Sequence, residues 1–152
     1  MANTPENRYE NLKLEHQLSF PLYACAKEVI KKYRTFLEAL NLTYTQFITM
    51  MVMWEYRTVS AKDIGEKLYL DSGTLTPVLK SLAAKGYVTR QRSTEDERVL
   101  IVTVTETGMA LRDEALSIPS SVSNGIDLTA EETETLYSLL YKILSCLGGE
   151  EE

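Results

Sequence analysis

Three arginines and an aspartate fall close together in the stretch VTRQRSTEDER: Arg90, Arg92, Asp96 and Arg98. A guanidinium is permanently charged and presents a planar fork of donors, so such a cluster suits phosphate oxygens or a narrow minor groove. Asp96, two residues before Arg98, is placed to clamp that guanidinium and orient it rather than to meet a polyanion itself. Just upstream, DSGTLTPVLKSL offers small hydroxyls, one apolar ring and one cation, at Ser72, Thr74, Thr76, Pro77, Lys80 and Ser81. Hydroxyls serve base edges or phosphates, and an apolar edge suits a thymine methyl. This is the chemistry of recognition. Bond-breaking chemistry would need a nucleophile with a base, or a metal set, and the chain has one histidine, His16, and two isolated cysteines, Cys25 and Cys146. Neither an enzyme, nor a cofactor, nor a metal site is indicated.

The elements that must carry these residues are legible around them. Ser60 and Asp63 have cap spacing, and Ile64 and Leu68 give the first apolar edge of a short helix. A polar turn, Leu70 to Gly73, follows. Leu75, Val78, Leu79 and Leu82 then recur at helical spacing until Gly86 stops the pattern. Two helices across so short a turn predict a helix-turn-helix, whose second helix reads a groove while the first braces it. Pro77 inside a helix would cost about 3 kcal/mol unless it fell in the first turn, which places the regular start late, near Gly73 or Thr74. Tyr87–Arg92, a polar turn Ser93–Glu97 and Arg98–Val104 then read as strand, loop and strand, a wing with arginines on its arms and tip.

At 152 residues with 44% hydrophobic and 25% charged residues, the chain is expected to be one globular domain. No secretory leader or membrane span is read, and unpaired cysteines fit a reducing compartment, so the expected location is cytoplasmic. The net charge of −6 is ill suited to DNA as a whole, yet it is unevenly spread. Residues 127–152 hold seven acids and one base, which is −6 by itself, whereas Ser60–Arg92 holds six bases and three acids, a local +3. Local distribution decides contact with phosphates.

Elsewhere, residues 1–9 read as a loose arm. From Leu12 onward Leu18, Leu22, Cys25, Ala26, Val29, Ile30, Tyr33 and Leu37 predict a long helix, kinked at Pro21. Thr43 and Gln46 have capping-box spacing before an almost wholly apolar helix with Phe47, Met50, Met53 and Trp54, read as the buried centre. Its methionines are read as core filling, and Cys25 and Cys146 as small buried residues. A helix leaves the wing from Thr105 and ends or bends at Ile118 to Ser121. Thr129 and Glu132 cap a last helix bearing Leu136, Leu139, Leu140, Ile143 and Leu147, and Gly148 opens a short acidic tail. The apolar stripes on the first and last helices exceed what one small core covers, which predicts association.

DSGTLTPVLKSL and RSTEDER together resemble the winged-helix core of the MarR family, in its organic-hydroperoxide-sensing OhrR branch. The similarity runs on through LEHQLSFPLYACAKEVIKKY, LNLTYTQF and VTVTETG, most of residues 12–118. The resemblance implies a mainly α fold with a small β-hairpin wing (α+β), with dimerisation helices over about 10–40 and 105–147, a DNA-binding lobe over about 43–104, and loose tails at 1–9 and 148–152. It also implies a homodimer that binds double-stranded DNA at an inverted repeat and represses oxidative-stress genes, without metal or membrane.

In that branch a reactive cysteine lies between the Leu and Phe of the stretch that here reads QLSFPLY. Ser19 stands there. Only a thiolate attacks a peroxide oxygen to give sulfenic acid, so this chain should not sense peroxide through residue 19. Tyr23 and Tyr33 match the family's tyrosines that face the sensor. Ser19 and Tyr33 share nearly one helical face but lie about 21 Å apart along it at about 1.5 Å per residue, so they meet only across subunits. Ser19 is read either as an engineered change that locks a reduced-like state or as a natural homologue with another input, such as a small ligand at the dimer interface. A winged helix that binds protein is the remaining alternative.

Overall fold

The structure, a computed structural model, describes residues 5–148. It divides into two compact units, Met1–Tyr44 and Thr45–Glu152, taken in turn.

In the first unit Pro5–Leu12 and Leu14–His16 are 3-10 turns, so residues 5–9 are wound rather than loose as expected. Helix α1 spans Ser19–Leu37. It begins seven residues later than the apolar pattern from Leu12 suggested, which puts Pro21 in the first turn. There its missing N–H is one that no helix can satisfy, so the proline starts the helix instead of kinking it. A 3-10 turn, Glu38–Leu40, closes on Asn41 in the left-handed region at φ 52°. Leu37 is the one buried residue of α1, while Leu18, Phe20, Tyr23 and Ile30 are exposed.

Helix α2, Tyr44–Tyr56, leads into β1, Thr58–Ser60, then α3, Ala61–Leu68, and α4, Ser72–Ala84. Strands β2, Val88–Arg92, and β3, Leu100–Val104, complete a three-stranded antiparallel sheet of order β1-β3-β2. A two-stranded wing was expected. The third strand has only three residues, too short a run for the alternation of apolar and polar residues to register, and it pairs Val59 with Val102 in β3. Helices α5, Glu106–Ala115, α6, Ile118–Ser123, and α7, Ala130–Leu147, follow. Phe47, Met50 and Met53 of α2, Ile64 of α3, Leu75, Leu79 and Leu82 of α4, and Val88 and Val102 of the sheet are all buried. α7 has no buried residue, and Leu136, Tyr137, Leu139 and Tyr141 lie exposed on it. Gly148 is its C-cap, and the rest of the expected tail lies outside the described residues.

Two glycines position the head. Gly86, at φ 78°, turns the chain out of α4, with its own amide and that of Tyr87 donating to the carbonyls of Ala83 and Leu82. At Gly108 the backbone of α5 closes on the wing: a β-carbon there would stand 2.1 Å from the Tyr87 carbonyl oxygen. No helix among the described residues is long and apolar enough to cross a membrane.

Candidate nucleic-acid interface

Helix α3 is opened by Ser60, whose hydroxyl accepts from the Asp63 amide at 3.1 Å. It closes on Tyr69 in the left-handed region (φ 54°), a conformation that costs a non-glycine residue about 1 kcal/mol and turns the chain sharply. Asp71 then caps α4. Its carboxylate accepts from the Thr74 amide at 2.8 Å and from the Thr74 hydroxyl at 3.0 Å. These bonds hold its pKa below the ordinary aspartate value, the backbone amide of Thr74 foremost. A depressed folded-state pKa means that the cap is complete above the ordinary value of about 3.9 and fades as pH falls through the lower one. The Thr74 amide is therefore expected to stay protected from hydrogen exchange at about pH 5 and to lose protection in stronger acid before the α4 core amides do. Equal, simultaneous loss would remove Asp71 as the controlling cap.

Because Asp71 sets the start, α4 begins at Ser72, earlier than expected, and Pro77 lies inside the helix. Its ring deprives the Gly73 carbonyl of the usual helical donor. Thr74, Thr76, Pro77 and Lys80 are exposed on the outward face, as is Ser72 at the helix start, although the Thr76 hydroxyl donates to the Ser72 carbonyl at 2.6 Å. Ser81 departs from the expectation. It is half-buried and accepts a hydrogen bond from Gln46 of α2, so it faces inward. Spacing marks Gln46 only as a helix cap; a lone amide in an apolar run is the signal for a partner on another element.

At the wing tip the amide of Ser93 donates to the Val99 carbonyl, and the Ser93 hydroxyl accepts from the amides of Glu95 and Asp96. Asp96 clamps Arg98 as the spacing suggested: Oδ1 accepts from the Arg98 amide and Nε, each at 3.0 Å, and Oδ2 from Nη2 at 3.0 Å. The guanidinium side chain is nonetheless 91% exposed. The pairing holds the Asp96 carboxyl below its ordinary range and raises Arg98, so both stay charged. Arg92 donates from Nη1 to the Arg98 carbonyl at 3.1 Å, and Arg90 is exposed on the same strand. An open groove of about 980 Å³ beside α3 and α4 is lined among others by Lys62, Tyr69, Ser72, Thr76, Arg90 and Leu147.

The sensor-like residues all lie in the first unit. Ser19 is exposed as the first residue of α1, where no side chain caps the helix. Tyr23 is exposed, and Tyr33 is half-buried with its ring 5.0 Å from that of Tyr44. Burial, and then Tyr44, push the Tyr33 phenol above its ordinary value, so it remains a proton donor. Within one chain Ser19 and Tyr33 are not brought together. Cys25 and Cys146, expected buried, are exposed free thiols.

A capped helix pair, a wing stitched to it by a third strand and a clamped arginine at the wing tip define a winged-helix regulator. The chain belongs to the MarR family of winged-helix transcriptional regulators, in the branch of the organic hydroperoxide resistance regulators. Residues 26–115 match the family model of the SarA/Rot transcriptional regulators. The organic hydroperoxide resistance transcriptional regulator of Bacillus subtilis is 43% identical over 142 residues, 93% of this chain and 97% of that protein. The regulator SarZ of Staphylococcus epidermidis is 43% identical over 127 residues, 84% of this chain and 86% of that one. Among solved structures, reduced AbfR bound to DNA matches with a TM-score of 0.76 at 31% identity, covering 92% of this chain and 98% of that chain. The Staphylococcus aureus MepR–DNA complex matches in fold, with a TM-score of 0.77 at 24% identity over 86% of this chain and 98% of that one.

Proposed function

We propose that the chain is a cytoplasmic, homodimeric repressor that binds double-stranded DNA at an inverted repeat, as an organic hydroperoxide resistance regulator whose residue 19 is serine. The observation that carries this reading is Arg98: its guanidinium donates two hydrogen bonds to one aspartate, which also accepts from the Arg98 backbone amide, and so is held in fixed orientation while almost fully exposed. A solvated loop tip needs no such clamp, whereas a cation that must meet a phosphate or narrow minor groove gains from losing its rotamer freedom beforehand. In this reading Ser72, Thr74, Thr76, Pro77 and Lys80 face the major groove, and Arg90, Arg92 and Arg98 meet the backbone from the wing. The exposed apolar residues of α1 and α7 supply the dimer contact. Reduced AbfR, 31% identical to this chain, is bound to DNA in its solved structure, which supports the same reading.

The test is selection of duplexes from a random library by the full chain, followed by affinity measurements over a range of salt. An inverted repeat is expected, with log affinity falling linearly with log salt. Arg98→Ala should weaken binding to all sequences and, with one wing per protomer, reduce the salt slope by about 1.8. Asp96→Ala should do the same more mildly, through lost orientation. Unchanged affinity and slope in both folded variants would remove the wing from the interface, and selection of no duplex would remove the DNA reading.

A second reading concerns the input. Ser19 cannot form a sulfenic acid, which favours a signal other than peroxide at this position, such as a small ligand at the dimer interface.

A further inference from the structure

The second half of α4 is hydrogen-bonded to a residue outside the helix-turn-helix. With Pro77 at its middle, α4 lacks one rung of its hydrogen-bond ladder, so its two halves are held separately. The first half is fixed by Asp71 through the Thr74 amide and hydroxyl. Beyond the proline, the apolar stripe of Leu79 and Leu82 is buried, but apolar packing is non-directional and leaves the angle about the helix axis loosely set. The directional contact comes from α2. Gln46 is only 6% exposed; its Nε2 donates to the Ser81 hydroxyl at 2.9 Å, and its Oε1 accepts from Lys85 Nζ at 2.9 Å. The other buried polar side chain among the described residues, Thr49, donates to the Thr45 carbonyl within its own helix. Gln46 is the one that reaches another element. A buried amide is tolerated only when paired, and its pairing fixes geometry more than it adds stability.

Resting on the DNA reading above, we propose that Gln46 is a positioning residue for the reading helix. Through Ser81 and Lys85 it fixes the rotation of α4 beyond Pro77 and so aims Lys80, setting discrimination between sequences rather than the strength of grip on phosphates. Ser81 and Lys85 lie four residues apart, one above the other on a single face, so one amide spans both and resists rotation of that half-helix.

The experiment uses the full chain with two probes: the duplex most enriched by the wild type from a random library, and a shuffled duplex of equal length. Gln46→Met, of similar volume but without polar atoms, is expected to lower the affinity ratio between the probes roughly tenfold, the worth of one good base contact. Affinity for the shuffled duplex and the salt slope should not change. Gln46→Glu should restore the ratio, because a carboxylate accepts from both the Ser81 hydroxyl and the Lys85 ammonium. A merely structural role would lower melting temperature and both affinities together. An unchanged ratio in Gln46→Met, or equal impairment in Gln46→Glu, overturns the proposal. If Gln46→Met does not fold, Ser81→Ala replaces it, with the same expected loss of ratio and the same overturning result. Enrichment of no duplex by the wild type brings down the DNA reading and this inference with it, a result distinct from enrichment with an unchanged ratio.

Discussion

Ser19→Cys is expected to make DNA binding sensitive to organic hydroperoxides, lowering affinity by about 5- to 150-fold after a peroxide pulse, the usual span of an allosteric coupling. Residue 19 is the first residue of α1 and exposed, so its side chain sits where unpaired amides and the helix dipole favour negative charge. A thiol there is drawn toward thiolate and is open to attack a peroxide. The sulfur bonds to one peroxide oxygen, the O–O bond breaks, an alcohol leaves with a proton from the medium, and sulfenic acid remains. In the proposed dimer Tyr33 of the partner subunit, kept protonated by burial and by Tyr44, donates to the sulfur. Oxidation then adds bulk and polarity between subunits and shifts one reading head against the other. The chain as it stands should hold its operator through the same pulse. Mass spectrometry must locate the oxidation, because Cys25 and Cys146 are also exposed thiols. Oxidation at residue 19 with unchanged DNA affinity would show that no silenced sensor exists there.

Gly108→Ala should be strongly destabilising. The added carbon would stand 2.1 Å from the Tyr87 carbonyl oxygen and 3.0 Å from a Val104 methyl carbon, and a backbone carbonyl cannot swing aside as a side-chain end can. The same spot is knitted by three further bonds. Thr105 Oγ1 accepts from the Gly108 amide at 3.0 Å and donates to the Gly86 carbonyl at 2.6 Å, and Trp54 Nε1 donates to the Gly108 carbonyl at 2.9 Å. Moving α5 away strains all of them. A loss of about 3 kcal/mol or more is expected, seen as a fall of roughly 6–12 °C in melting temperature for a chain of this size. A shift under about 2 °C would mean that this contact is looser than described.

The reading head was legible because its signals are local. Caps act over three residues, as at Ser60 and Thr129, where Thr129 and Glu132 form the full reciprocal box, and the Asp96–Arg98 clamp spans two. What could not be read depends on contacts distant in sequence or on competition between local terms. Pro77 argued for a late start to α4, but the cap at Asp71 and the burial of Leu75 outweigh one missing hydrogen bond. Ser81 looked outward because a serine carries no apolar signal, while its partner lies 35 residues away. Strand β1 is defined by a partner 45 residues along the chain at Thr103. Cys25 and Cys146 fit apolar stripes, yet a stripe becomes buried only when something covers it, and α1 and α7 carry stripes that this chain alone leaves bare.

Strand β1 has a mechanical consequence. Ser60 is both its last residue and the cap of α3, while its partner β3 forms the far arm of the wing. Bracing helix and wing are thus joined through one residue, and neither can turn without dragging the other. In a dimer, two such heads behave as the jaws of a caliper, stiff in themselves and adjustable only in their spacing. B-DNA penalises a wrong setting twice over. One base-pair step is about 3.4 Å along the axis and about 35° around it, so jaws set one step too wide arrive facing the wrong side of the helix. With rigid jaws, a small displacement at the subunit boundary suffices to release the whole span, and no part of the reading surface has to be remodelled.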